Sequence, residues 1–85
     1  NLSLKEVPGR LASYLLYLSN EQDSEFRVSL PVSKGQLASL LGTIPETLSR
    51  ILAKMSGKQL IQVEGSDIHL RDLMGLEALA ENGKL

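Results

Sequence analysis

Eighty-five residues suit one domain with a single core, and a hydrophobic share of 42% is that of an ordinary globule. With no cysteine there is no disulfide framework, no thiolate nucleophile and no cysteine-ligated zinc. The net charge of −1 conceals a segregation: residues 27–58 carry five basic groups (Arg27, Lys34, Arg50, Lys54, Lys58) against Glu46 alone, +4, while the segments before and after carry −2 and −3.

The field of one face, not the sum, decides whether a chain meets a polyanion. The longest apolar cluster, LASYLLYL, is too short to span a membrane. LSLKEVPGR lacks the apolar run of a signal peptide, so a cytoplasmic protein, or a piece of one, is expected.

In chain order, the first element is a helix over Pro8–Ser19, with Leu11, Leu15 and Leu18 on one face. NEQDSE is a polar loop. In FRVSL, Phe26, Val28 and Leu30 alternate with Arg27 and Ser29, which predicts a short half-buried strand stopped by Pro31. Ser33 is placed to N-cap a helix whose apolar stripe is Leu37, Ala38, Leu40 and Leu41, and Gly42 can take positive φ beyond its end. A second helix, 45–56, opens with Pro45 at its first position and buries Leu48, Ile51, Leu52 and Met55. Leu60–Val63 and Asp67–Leu70 form a hairpin about Glu64-Gly65-Ser66, and RDLMGLEALAENGK closes the chain as a helix with Asp72 in its first turn.

The fold class that follows is α+β and mainly helical: a single winged helix-turn-helix over residues 1–85, with a small antiparallel sheet and a C-terminal helix. Ala38, Gly42, Leu48 and Ile51 carry the spacing that lets two short helices cross steeply and present the second one outward. With the inner side of helix 45–56 spoken for, Glu46, Thr47, Ser49, Arg50 and Lys54 lie on or near its outer face. Glu46 and Arg50 stand one turn apart, a spacing that suits a surface ion pair and equally suits a unit reading base edges. Arginine matches guanine O6 and N7 bidentately, and a carboxylate accepts from the cytosine amino group.

LPVSKGQLASLLGTIPETLSRILAKMSGKQLIQVEG resembles the C-terminal DNA-binding domain of Crp/Fnr-type bacterial transcription regulators, and the resemblance runs from about Val7 to Leu70. Glu46, Ser49 and Arg50 match the E-x-x-S-R recognition pattern of the Fnr-like branch. The resemblance implies a TTGAT-like half-site, with Arg50 on guanine, Glu46 on the opposite strand, Ser49 near a thymine, and Thr47 and Ser33 on phosphates. Lys34, Lys54 and Lys58 are further candidate phosphate contacts, and Gly65 and Ser66 form the wing tip. It also implies a homodimer on a palindromic operator, a sensor half outside this sequence with residues 1–6 ending the linker to it, and no cofactor in this domain. The acidic loop Asn20–Ser24 falls where some members touch RNA polymerase. Pro45 and Ile44 depart from the pattern: a polar or basic residue is expected at the first position and a Ser or Thr cap at the second, so one phosphate or base contact of the pattern is expected to be missing.

His69, without cysteine beside it, reads as a wing-strand side chain, not a metal ligand. No serine has a His/Asp arrangement for nucleophilic catalysis, so no enzyme is expected. Tyr14 and Tyr17 read as rim of the core. The competing reading is a winged-helix module for protein–protein interaction, which calls for apolar residues where Glu46, Ser49, Arg50 and Lys54 stand.

Overall fold

A computed structural model describes residues 7–83 and residue 85; the linker assigned to residues 1–6, and Lys84, lie outside the described residues. The first helix, α1 (Val7–Glu21), buries Val7, Leu11, Ala12, Leu15 and Leu18 against α4 (Leu73–Asn82), whose Leu76 and Leu79 face it. Leucines at helical spacing make one apolar stripe, and burying each is worth about 1.5–3 kcal/mol. Tyr14 is half-buried at the rim, but Tyr17 is exposed and stacks on it with ring centroids 6.3 Å apart.

Three strands pair antiparallel in the order β1-β3-β2: β1 (Arg27–Ser29), β3 (Asp67–Leu70) and β2 (Ile61–Glu64). Val28 and Val63 both lie opposite Ile68, so Val28, Ile61, Ile68 and Leu70 point to the core. The opposite face carries a polar layer in which Ser29 Oγ donates to Asp67 Oδ1 at 2.9 Å, His69 Nε2 meets Glu64 Oε1 at 2.9 Å, and Arg71 donates to Gln62 Oε1 at 3.1 Å. Ahead of β1, the side-chain amide of Gln22 donates to Ser29 O at 2.8 Å and accepts from Ser29 N–H at 2.9 Å.

Phe26 corrects the predicted strand. It is 78% exposed and precedes β1, because the Ser24 hydroxyl accepts from the N–H of both Phe26 (3.4 Å) and Arg27 (3.2 Å) and turns the chain there. Such a local side-chain bond competes with the extended strand, and the alternation starts two residues later, at Val28. Leu40 is a second correction. In α2 (Lys34–Leu40) the inward residues are Leu37 and Ala38, followed by the C-cap Leu41. At about 100° per residue Leu40 falls outside that sector, and it is exposed.

α2 and α3 (Pro45–Gly57) meet through Leu37, Ala38, Leu41, Leu48, Ile51 and Leu52, all buried. Between them Gly42 adopts φ 76°, Gly42 N–H donates to Ser39 O at 3.1 Å and Thr43 N–H donates to Ala38 O at 2.8 Å. This closure needs a left-handed residue, which glycine supplies without a steric penalty. Arg10 reaches from α1 and donates from Nη2 to Leu41 O, holding the turn against the first helix. The exit of α3 uses the same closure with a different residue. Gln59, not Gly57, takes the left-handed conformation (φ 65°), with Gln59 N–H on Ser56 O and Leu60 N–H on Met55 O, both 3.0 Å.

Candidate nucleic-acid interface

α3 presents two contrasting sides. Leu48, Ile51, Leu52 and Met55 are buried, and Glu46, Ser49, Arg50 and Lys54 are exposed; Thr47 is half-buried. The exposed four therefore share one outward face, as the spacing predicts. The Glu46–Arg50 ion pair that the spacing permits is not formed. Among the described residues the acid–base contact present is the hydrogen bond between His69 Nε2 and Glu64 Oε1, and neither the Glu46 nor the Arg50 side chain makes a hydrogen bond. Two long exposed side chains gain only a few tenths of a kcal/mol by pairing and lose rotamer freedom in doing so. Arg50 consequently keeps its donors free, as do the side chains of Arg27, Lys34, Lys54 and Lys58, none of which has a partner among the described residues.

The two helices are anchored differently at their N-termini. Ser33 Oγ accepts from Gln36 N–H at 3.1 Å, and Gln36 Oε1 accepts from Ser33 N–H at 3.1 Å, a reciprocal capping box. The Ser33 hydroxyl hydrogen remains available to donate outward. At α3 the cap is Ile44, with φ −113° and ψ 158° and no side-chain hydrogen bond, followed by Pro45 at N1. Pro45 accounts for the extended backbone at Ile44, because its ring disfavours helical geometry in the residue before it.

The wing closes in a two-residue turn, Gly65-Ser66, with Glu64 opposite Asp67 and Gly65 at φ 64°. Leu30 N–H donates to Ser66 O at 2.8 Å, so the tip is tied to the segment leading into α2. As a result Ser33, Lys34, Gly65 and Ser66, drawn from separate parts of the chain, line one open groove of about 560 Å³ with Gln36. A more apolar groove between α1 and the end of α2, lined by Tyr14, Leu40, Leu41 and Ala80, holds none of the predicted contact residues. Gln36 is not among the residues predicted from the sequence, although Ser33-x-x-Gln36 is the capping-box signature. His69 is a wing-strand residue, as expected. Among the described residues no cluster of His, Asp or Glu could hold a metal ion, and no helix is long and apolar enough to cross a membrane.

Residues 9–79 match the model of the Crp-like helix-turn-helix domain. The chain belongs to that family. It is 33% identical, over 93% of its length, to the transcriptional activator protein FnrA of Stutzerimonas stutzeri, and 30% identical, over 95%, to the transcriptional regulator SdrP of Thermus thermophilus. It spans 34% and 42% of those two proteins. Among solved structures, DNR from Pseudomonas aeruginosa superposes with a TM-score of 0.79 at 36% identity, covering 88% of this chain and 34% of that one. FixK2 from Bradyrhizobium japonicum gives 0.77 at 27%, covering 86% and 37%. FnrA and SdrP are by name a transcriptional activator and a transcriptional regulator, and the four helices and three-stranded sheet are the winged helix-turn-helix that the sequence predicts.

Proposed function

We propose that this chain is the DNA-binding part of a longer, cytoplasmic Crp/Fnr-type transcription regulator, and that α3 enters the major groove of a TTGAT-like half-site. The observation that carries the reading is the outer face of α3. Glu46, Ser49 and Arg50 stand exposed within one turn, and Arg50 has no partner among the described residues to satisfy its fork of donors. A recognition helix reads bases with its N-terminal residues. Arg50 then takes guanine O6 and N7, Glu46 accepts from a cytosine on the other strand, and Ser49 lies near a thymine. Since the two are unpaired in the free domain, Glu46 and Arg50 become one reading unit on DNA and not before.

Phosphates are met by Lys54 and Lys58 at the end of α3, by Thr47 at its start, and by Ser33 and Lys34 across the groove from the wing tip Gly65-Ser66. Two copies in a homodimer place two such helices about 34 Å apart on a palindromic operator. The acidic stretch Asn20–Ser24, the last residues of α1 and the turn after it, is the surface offered to RNA polymerase. The domain itself takes no cofactor, and the effector belongs to the sensor half. A protein-interaction module would need an apolar outer face on α3, and Glu46, Ser49, Arg50 and Lys54 do not provide one.

Selection of bound oligonucleotides from a random pool by the full-length protein tests the reading. The expected half-site contains a guanine whose preference disappears in Arg50→Ala, at a cost of about 1–3 kcal/mol on the selected site. Equal loss on selected and random DNA would remove Arg50 from base reading. Lys54→Ala should weaken all sequences alike and flatten the salt dependence by about one phosphate contact. An unchanged slope would reject that contact.

A further inference from the structure

Five large hydrophobic side chains other than the C-terminal Leu85 stand exposed on the described surface, namely Tyr17, Phe26, Leu40, Ile44 and Met74, with Ile44 at 55% exposure. Scattered exposed apolar residues are ordinary and need no explanation in themselves. Ile44 differs in its position. It is the N-cap of α3, immediately ahead of the residues whose polar groups face outward from the first turn.

We propose that Ile44 reads the C5 methyl group of a pyrimidine in the major groove, at a base pair flanking those read by Glu46, Ser49 and Arg50. The proposal rests on the DNA-binding reading of α3 given above. Three observations lead to it. First, a cap position strongly favours Ser, Thr, Asp or Asn, and Ile44 leaves α3 without any side-chain cap bond. Second, the side chain is held ready. Its backbone is extended ahead of Pro45, and a β-branched residue has few χ1 choices, so little entropy is lost when it is fixed against a surface. Third, isoleucine has no side-chain donor or acceptor, so it cannot tell base pairs apart by hydrogen bonding. The apolar feature that the major groove offers is the pyrimidine methyl group, native to thymine and shared by 5-methylcytosine. With the N-terminal end of the helix directed at the base edges, an apolar cap there discriminates by touching that methyl group. Where a Ser or Thr cap would offer DNA a hydroxyl, Ile44 offers a hydrocarbon surface.

The test uses the full-length protein and the half-site obtained by selection, with each thymine outside the guanine replaced in turn by deoxyuridine, which removes the methyl group and nothing else. At one position the protein should lose about fourfold in affinity, the worth of one buried methyl group. Ile44→Ser should bind thymine and uracil at that position equally. In a site carrying cytosine there, 5-methylcytosine should recover affinity for the wild-type protein and not for Ile44→Ser, separating the methyl group from the rest of the thymine ring. An unchanged melting temperature, or a higher one, in Ile44→Ser shows that the variant is folded. Uracil substitution that affects both proteins equally at every position, or neither at any, overturns the proposal while leaving the selected guanine in place. A pool that yields no sequence preference at all overturns instead the DNA-reading role of α3.

Discussion

At the N-terminus of α2 the Ser33 hydroxyl and the Gln36 side chain satisfy each other's backbone N–H groups, both at 3.1 Å; at the N-terminus of α3, Ile44 offers no side-chain oxygen and Pro45 no N–H. The two helices are neighbours in sequence and share one packed crossing, so the contrast is not one of environment. α2 is only seven residues long and depends on its cap for part of its stability. α3 has thirteen residues and four buried side chains, which lets it stand without one. The helix that can do without a cap is the one whose first turn is proposed to face a ligand. On the proposed reading, the side-chain cap serves the supporting helix, and the helix that faces DNA goes without one.

Four substitutions probe this contrast. The largest effect should come from Leu48→Ala, which opens a cavity at the crossing that both helices share. A loss of about 2–5 kcal/mol in denaturant unfolding is expected, with both N-termini losing their frame together. Ser33→Ala removes the reciprocal cap and should cost about 1 kcal/mol, or about 4–8 °C in melting temperature for a domain of this size. A negligible loss would mean that α2 is held by packing alone. Ile44→Ser gives α3 the cap it lacks and should stabilise by up to about 1 kcal/mol, while methyl selectivity on DNA falls. If stability and selectivity rise together, the division of labour between the helices is wrong. The smallest effect should be that of Gln59→Gly at the exit of α3. Relief of a left-handed residue bearing a Cβ, partly offset by the greater freedom of glycine in the unfolded chain, should stabilise by about 0.5 kcal/mol in thermal unfolding.

The helix-turn-helix is legible in the sequence because its signals are short-range. Ala38, Gly42, Leu48 and Ile51 lie within a few turns of one another, and periodicity reports which side of a helix faces inward. Phe26 and Leu40 break their patterns for a common reason. Each is apolar and fits the local alternation, but its burial is decided by neighbours that the pattern does not contain: the Ser24 hydroxyl for Phe26, and the narrow inner sector of a seven-residue helix for Leu40. Glu46 and Arg50 show the reverse limit. Their spacing permits a pair, but spacing says nothing of the balance between a weak screened attraction and the entropy of two flexible side chains. The groove shared by Ser33, Lys34, Gly65 and Ser66 joins residues far apart in sequence, and no local signal announces it.

The paired bonds from Gln22 to Ser29 have a consequence for association. β1 lies at the edge of the sheet, and Ser29 turns its N–H and carbonyl away from β3, the arrangement that invites a strand from another molecule. The Gln22 amide occupies both groups with the donor and acceptor that such a strand would supply. It acts as a one-residue imitation strand and closes this border to recruitment. Were two copies to stand side by side on one operator, as proposed, their sheets would be kept from fusing along β1.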